Sequence, residues 1–161
     1  MSLNIRRARS DEAGLVLDFV RELAEYEKLS HEVEATEADI ADALFGHDPR
    51  LFCAIADWDG EPVGFAVWFL NFSTFSGRHG VYLEDLYVRP SHRGKGLGKA
   101  LLIYLAKECL DNGWSRLQWA VLDWNAPSIE FYKSLGAVML DDWTLCRVTG
   151  PALTRLAGSA T

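Results

Sequence analysis

A glycine-rich segment at residues 93–98 constrains the fold of this chain more than any other feature. It reads Arg93-Gly94-Lys95-Gly96-Leu97-Gly98, follows an apolar run at residues 81–88 and opens an amphipathic run at residues 97–110. A strand, a glycine turn and a helix N-terminus in this order make an anion site, because unpaired backbone N–H groups point outward and the helix dipole favours negative charge. The segment therefore predicts that a phosphorylated ligand binds here.

Two common phosphate-binding motifs do not fit the spacing of this segment. A Walker loop would need Gly at the position of Arg93 and a hydroxyl at the position of Ala100. A dinucleotide fingerprint would need a third Gly at the position of Lys99. The chain instead has Arg-x-x-Gly-x-Gly, at Arg93, Gly96 and Gly98. The alternative interpretation, a glycine turn with solvated cations, is disfavoured by the flanking strand and helix.

Composition and charge limit the class of protein. The 161 residues predict one domain, 1–161, with a core at about 3–150 and a short C-terminal tail. No apolar run reaches about 18 residues, which predicts no membrane span. The N-terminus lacks the apolar core of a signal peptide, so we expect a cytoplasmic protein. The net charge of −7 argues against a nucleic acid partner and suits a cationic substrate, or solubility alone.

The cysteines and histidines show no metal-ligand or redox spacing, so we predict no metal. Each cysteine has the character of a small buried hydrophobe rather than a nucleophile. These residues are Cys53, Cys109, Cys146, His31, His47, His79 and His92.

Hydrophobic periodicity predicts an α/β fold in the order β-α-α-β-β-β-α-β-α-β, with a mixed, mainly antiparallel central sheet flanked by helices. Ser10 and Thr36 are predicted helix caps, and Asp59-Gly60 is a predicted hairpin turn. The predicted strands cover 3–8, 51–58, 62–72, 81–88 and 116–122, with candidate closing strands at 138–140 and 143–148; the predicted helices cover about 10–28, 36–44, 97–110 and 125–136.

Three sequence blocks resemble the GNAT superfamily of acetyl-CoA-dependent N-acetyltransferases, over nearly the whole chain. Within it they are similar to the diamine (spermidine/spermine-type) acetyltransferase branch and its thialysine-acetylating relatives. The blocks are residues 22–27, residues 82–98 and residues 120–137. The second contains Glu-Asp-Leu-Tyr-Val and the Arg-x-x-Gly-x-Gly pyrophosphate-loop pattern, and the third contains Asp-Trp-Asn and Phe-Tyr-Lys-Ser-Leu-Gly-Ala. The resemblance implies a single GNAT-like domain with a splayed cleft for acetyl-CoA between two central strands.

The resemblance also implies how acetyl-CoA binds. Backbone groups of residues 86–88 would pair with the pantetheine arm, much as an added strand would. The pyrophosphate would lie on the backbone of residues 94–99, because glycines allow phosphates to approach closely. Asn125 would hydrogen-bond the cofactor arm, with Ser128 nearby. The implied cofactor-binding residues are Leu86, Tyr87, Val88, Arg93, Gly94, Lys95, Gly96, Leu97, Gly98, Lys99, Asn125 and Ser128.

Acetyl transfer to an amine requires a deprotonated amine, a stabilised oxyanion and a proton for the departing thiolate. The resemblance implies that Tyr132 is the general acid, since a phenol with an ordinary pKa of about 10 is protonated at pH 7. Without the resemblance, a packing aromatic beside Phe131 is the favoured interpretation of Tyr132.

Glu84 interrupts an apolar strand, where a carboxylate is costly unless it is paired or solvated in a cleft. Strand alternation predicts that the side chain of Glu84 lies on the same face of the strand as those of Tyr82 and Leu86, while Asp85 lies on the opposite face. The resemblance implies that Glu84 binds the cationic amine and removes its proton through water. For Asp85, a strand-end acid bonded to backbone or Arg is an equal alternative.

Further residues match the amine-binding positions of the branch, with one departure. Tyr26 and Glu27 match residues that contact the amine, although an ordinary helix end fits as well. Ser73 and Phe75 stand where the polyamine-acetylating members place Asp and Trp. The missing carboxylate weakens the case for a long polycation, so a small amino acid or diamine also fits. The implied substrate-binding residues are Tyr26, Glu27, Phe75, Glu84 and Asp85.

The leading hypothesis is an N-acetyltransferase that moves an acetyl group from acetyl-CoA to a primary amine of a small cationic substrate, by direct attack in a ternary complex. The alternatives are a protein lysine or N-terminal acetyltransferase and a non-catalytic acyl-CoA-binding module. Members of the branch are usually dimers, so we expect a homodimer.

Overall fold

Five strands form one mixed sheet in the first of two compact units. The computed structural model describes residues 1–159, which divide into a unit at Met1–Leu122 and a second unit that begins at Asp123. The strands are β1 (Leu3–Arg7), β2 (Phe52–Trp58), β3 (Glu61–Ser73), β4 (Arg78–Val88) and β5 (Leu117–Gln118), in that order across the sheet. Neighbours among β1 to β4 are antiparallel, and β5 runs parallel to β4. The predicted mixed, mainly antiparallel sheet is confirmed.

The first four helices agree with the predicted order, whereas the fifth was not predicted. They are α1 (Ala13–Tyr26), α2 (Glu37–Phe45), α3 (Leu97–Asp111), α4 (Ala126–Ser134) and α5 (Gly150–Ala157), with short 3-10 turns at Ser30–Glu32 and Pro90–His92. The predicted domain also included residues 160 and 161, which lie outside the described residues.

The sheet face that α1 and α2 cover carries the main core of the first unit. Phe19 of α1 and Phe65 of β3 are fully buried and stack with their ring centroids 5.2 Å apart. Tyr87 of β4 lies against Phe19 at 6.4 Å. The rest of this buried cluster is Val16, Leu23, Leu44, Cys53, Ile55 and Val67. Because Tyr87 stands near the end of β4, this core fixes the strand where the glycine segment begins.

The opposite face of the sheet packs against α3. Trp68 of β3 is 1% exposed, and its ring lies 6.2 Å from that of Tyr104 in α3. The Arg7 guanidinium lies 4.6 Å from the Trp68 ring and pairs with Glu108 of α3 at 2.9 Å. The segment between β4 and α3 is therefore held at both ends by packed elements.

The predicted helix cap at Thr36 and the predicted hairpin turn at Asp59-Gly60 are confirmed. The Thr36 hydroxyl accepts the Asp39 N–H at 3.2 Å, while the Asp39 carboxylate accepts the Thr36 N–H at 2.8 Å, which completes a capping box. Asp59 and Gly60 have φ of 51° and 87°, as a tight hairpin turn with the twist of its strands requires.

The predicted cap at Ser10 is wrong, because an acidic residue takes its place. Glu12 precedes the first helical residue of α1, and its carboxylate accepts the backbone N–H of Arg9 at 2.7 Å. The same carboxylate pairs with Arg6 at 2.8 Å, and Arg6 also pairs with Asp57 at 2.7 Å. This group of ions ties the start of α1 to β1 and β2.

The strands predicted near the C-terminus differ most from the structure. The strand predicted at 116–122 is shortened to β5, and the two closing strands predicted at 138–148 are wrong, since the described part of the second unit contains α4 and α5 but no strand. Trp143 and Leu145 in that segment are each 80% exposed. Apolar alternation yields a strand only where a neighbouring strand supplies hydrogen bonds, and residues 138–148 pair with no strand of the described chain.

Candidate functional site

A β-bulge at Glu84 breaks the alternation of β4. Asp85 pairs with Val67 of β3 and Leu83 pairs with Trp68, so Glu84 is an extra residue without a partner in the ladder. Leu83 therefore lies on the α3 face with Trp68, whereas Asp85 lies on the α1 face with Val67 and Tyr87. Strict alternation would have kept Leu83 and Asp85 on one face. The bulge thus presents two adjacent carboxylates, an exposed Glu84 and a partly buried Asp85.

The pairing of β4 with β5 ends before the bulge. Only Val81 and Tyr82 pair with β5, opposite Leu117 and Gln118. From Leu83 onward, β4 has no β5 partner in the first unit. Within residues 86–88, the Val88 carbonyl instead accepts a hydrogen bond from the Arg93 side chain at 2.9 Å. An unpaired strand edge is where an extended amide-bearing ligand can add as a strand. The cleft predicted for acetyl-CoA was placed between these same two strands, β4 and β5.

The glycine segment forms an exposed turn that leads into α3. Gly94 and Gly96 have φ of 76° and 86°, a region that side chains with a Cβ adopt only under strain. Gly96 caps α3, and the first helical hydrogen bond runs from the Ala100 N–H to the Gly96 carbonyl at 2.9 Å. The N–H groups of residues 97–99 thus precede the helical ladder, as an anion site requires.

Cations surround this helix start in an otherwise acidic chain. Arg93, Lys95 and Lys99 are all exposed. The Lys95 ammonium lies 5.2 Å from the ring centroid of Trp58, at the end of β2, and the His92 ring lies 6.4 Å from the same tryptophan. Trp58 therefore contacts side chains on both sides of Arg93, Lys95 in the turn and His92 just before it. No sequence pattern indicated this role.

The Arg93 guanidinium is held between two tyrosines. It lies 4.7 Å from the ring centroid of Tyr26 in α1 and 5.5 Å from that of Tyr87 in β4. Its Nε donates to the Val88 carbonyl at 2.9 Å. These contacts bring the predicted amine-contacting Tyr26 to the predicted cofactor-binding Arg93.

An ion pair that the sequence analysis missed lies close to Tyr87. Glu22 of α1 pairs with Arg89 at 2.9 Å, and Arg89 also donates to the Pro62 carbonyl at 3.1 Å. Burial raises the pKa of Tyr87, and the nearby Glu22, which is hydrogen-bonded to it, raises it further. The available signal was an acid at helical spacing from Phe19 and Tyr26, on the face of α1 that packs on the sheet.

Burial and like charges shape the electrostatics of the carboxylates. Burial raises the pKa of Asp85 to about 7, with added repulsion from Glu84 and Glu27. Burial also raises the pKa of Glu27. The Cys53 thiol has its pKa raised to about 12, chiefly by burial, with Glu12 and Asp85 adding to the effect. A cation bound among these acids would relieve their repulsion, whereas Cys53 is unsuited to act as a thiolate nucleophile.

Asp85→Asn is expected to stabilise the protein at pH 8 by about 1–3 kcal/mol more than at pH 5. The raised pKa means that the stability contributed by the protonated carboxyl is present below about pH 4 and is lost as the pH rises through about 7. Urea unfolding of variant and wild type at the two pH values measures the difference. The exposed Asp111→Asn serves as control, and an equal effect of Asp85→Asn at both pH values would contradict the assignment.

The structure does not bring Phe75 beside the carboxylates. Phe75 stands fully exposed in the turn between β3 and β4. Glu84 lies six residues beyond Arg78, the first residue of β4, which is about 20 Å at the rise of a strand. A role for Phe75 in binding the same small amine group therefore stays a prediction.

The second unit carries the remaining predicted site residues on α4. Asn125 is buried at the start of this helix, where its side-chain oxygen accepts the Ser128 N–H at 3.4 Å. Tyr132 is partly buried, and its ring lies 5.5 Å from that of Phe131. The predicted helix start at Asn125 is confirmed, while the roles of Asn125, Ser128 and Tyr132 in binding and catalysis stay predictions.

Within residues 1–159, no group of three or more His, Cys, Asp or Glu side chains is arranged to hold a metal ion. Nor does any helix in this range have the length and apolar character needed to cross a membrane.

Comparison with known proteins gives a consistent result. Residues 17–137 match the Acetyltransferase (GNAT) family. The chain is 41% identical to a thialysine N-epsilon-acetyltransferase of Bos taurus, covering 96% of each chain. It is 29% identical to an L-ornithine N5-acetyltransferase of Arabidopsis thaliana, covering 95% of this chain and 87% of that protein. Among solved structures, an integron cassette protein from the mobile metagenome of V. cholerae superposes with a TM-score of 0.81 at 30% identity, covering 99% of each chain.

Proposed function

Because this chain belongs to the GNAT family of acetyltransferases, we propose that it acetylates the side-chain amine of a small cationic amino acid of the thialysine or ornithine type. The chain is an N-acetyltransferase, and the enzymes of its family use acetyl-CoA as co-substrate. Its nearly full-length similarity to thialysine acetyltransferases supports an amine of a small cationic molecule as the acceptor.

The geometry of the first unit supports binding of acetyl-CoA. The pyrophosphate fits the N–H groups of residues 97–99, with Arg93, Lys95 and Lys99 supplying positive charge. The pantetheine arm fits the unpaired edge of β4 at residues 86–88. In this proposal the acetyl thioester lies at the bulge, close to the carboxylate of Glu84.

The observation that carries the amine assignment is the acidic character of the bulge. Glu84 is exposed beside the unpaired edge of β4, while Asp85 and Glu27 are near enough for their charges to repel. An ammonium group compensates such charges, and an overall charge of −7 attracts cations. The site therefore favours a substrate with a protonated amine.

The proposed reaction is a direct attack in a ternary complex. Glu84 removes a proton from the bound ammonium through water, and the free amine nitrogen forms a bond to the acetyl carbonyl carbon. The carbon–sulfur bond then breaks, and Tyr132 donates a proton to the departing CoA thiolate. The nitrogen loses its second proton as it becomes an amide, and that proton returns through water to the Tyr132 phenolate. An acetylated Cys53 or Cys109 is disfavoured because burial raises the pKa of both thiols. The expectation that Cys146 is also buried is wrong, since this residue is exposed.

A panel of acceptors tests the proposal. Thiol release from acetyl-CoA is measured with thialysine, L-ornithine, lysine, putrescine, spermidine and a lysine-containing peptide. We expect turnover of the small amino acids to exceed that of spermidine and the peptide, because no carboxylate stands at Ser73 or Phe75 to bind a remote second charge. Preferred turnover of the peptide would favour a protein acetyltransferase, and CoA binding without turnover would favour an acyl-CoA-binding module.

We further propose that the enzyme is a homodimer, as expected from its resemblance to the diamine acetyltransferase branch. Light scattering checks this, since a single species at the chain mass of 18.0 kDa would contradict it. A cytoplasmic location stays a prediction.

A further inference from the structure

Some atoms of the Arg93 guanidinium hold it in place, and others remain available for a ligand. Nε donates to the Val88 carbonyl at 2.9 Å, and the faces of the guanidinium lie near the rings of Tyr26 and Tyr87. Among the described residues, the Nη groups of Arg93 have no hydrogen-bond or ion-pair partner. They are the donors that suit a bidentate contact with a phosphate.

The two tyrosines hold Arg93 in different ways. Tyr87 is 7% exposed and is fixed by the core under α1. Tyr26 is the last residue of α1 and is 36% exposed. A surface arginine has many rotamers, and stacking on an aromatic ring restricts them before a ligand arrives. Tyr26 is thus the contact through which α1 fixes the orientation of an otherwise exposed arginine.

We infer that Tyr26 is a positioning residue for acetyl-CoA, which holds the Arg93 guanidinium against Tyr87 so that its Nη groups face the pyrophosphate. The inference rests on the proposed use of the glycine segment as an acetyl-CoA site. It assigns Tyr26 to the cofactor side of the reaction, although its position in α1 resembles that of an amine-contacting residue. The neighbouring Glu27 then serves the amine side, near Asp85.

Calorimetric titration with CoA tests this role in four variants. Tyr26→Ala is expected to weaken CoA binding about 3- to 20-fold, the size of a partly desolvated cation–π contact. The KM for acetyl-CoA rises by a similar factor, while kcat at saturating acetyl-CoA changes less than about twofold. Tyr26→Phe keeps the ring and holds the Kd of CoA within about twofold of wild type. In an Arg93→Ala background, Tyr26→Ala adds less than about twofold, because the residue acts through Arg93.

Controls distinguish positioning from a loss of fold. Tyr104→Ala removes a ring that lies 6.0 Å from the Arg7 guanidinium on the α3 face of the sheet, and it leaves the Kd of CoA unchanged. Thermal unfolding of each variant confirms that the protein is folded at the assay temperature.

Three results would overturn the inference. They are an unchanged Kd of CoA in Tyr26→Ala, an equal effect of Tyr26→Ala with and without Arg93, and a raised KM for the amine with an unchanged Kd of CoA. Failure of the proposed function gives a different result, since the wild type would then bind CoA but acetylate none of the amines. The CoA titrations would still report on Tyr26 in that case.

Discussion

Tyr132→Phe is expected to lower kcat about 10- to 1000-fold while the Kd of CoA changes less than about twofold. The substitution removes one hydroxyl and keeps the ring, so the packing of Tyr132 against Phe131 in α4 is preserved. The loss falls on kcat because the departing thiolate accumulates charge only as the carbon–sulfur bond breaks. Steady-state kinetics with the best amine of the panel, combined with CoA titration, measures both quantities.

A second tyrosine provides the control for Tyr132. Tyr104→Phe removes a hydroxyl from α3, on the face of the sheet that packs against Trp68, and is expected to leave kcat unchanged. If Tyr132→Phe turned over at the wild-type rate, Tyr132 would be a packing residue and another group or water would protonate the thiolate. If it lost CoA binding instead, the phenol would belong to the cofactor contacts.

The sequence was sufficient to predict the elements whose signals are local. The capping box at Thr36, the hairpin turn at Asp59-Gly60 and the helix start at Asn125 depend on neighbouring residues, and all three are confirmed. The closing strands predicted at 138–148 failed, because a strand depends on a hydrogen-bonding partner that the local sequence does not contain. Glu12 replaced Ser10 at the start of α1 for the same reason, since its partner Arg6 lies in β1.

The predicted chemistry of the site stays a prediction, and its predicted geometry was incomplete. Glu84 and Asp85 were identified as unusual acids in an apolar strand. The bulge at Glu84 shifts the pairing of β4 with β3 and thereby places Asp85 on the α1 face. Strand alternation in the sequence does not predict an inserted residue, because the bulge depends on how β4 pairs with Val67 and Trp68 of β3. Tyr26 and Arg93 were assigned to different ligands, and only the tertiary fold shows that their side chains touch.

Glu84→Gln is expected to lower kcat/KM for the amine about 100-fold at pH 7.5, with little change in the KM for acetyl-CoA. Gln keeps the size of the side chain at the bulge but loses the charge that is proposed to bind the ammonium and the base that is proposed to remove its proton. Primary amines titrate near pH 10, so a higher pH supplies free amine without a base. The deficit of the variant should therefore narrow between pH 7.5 and pH 9.5, as initial rates at low amine concentration would show.

A control variant distinguishes the loss of the Glu84 carboxylate from the change in the overall charge of the protein. Glu61→Gln removes an equal charge from an exposed position at the start of β3, and it is expected to leave the amine kinetics unchanged. A pH-independent deficit in Glu84→Gln would mean that Glu84 binds the ammonium without removing its proton. In that case Asp85 becomes the stronger candidate for the base, because burial and its acidic neighbours hold its pKa at about 7, close to the pH at which a proton must be accepted and released. The bulge would then divide the two tasks between adjacent carboxylates, with the exposed one recognising charge and the buried one moving the proton.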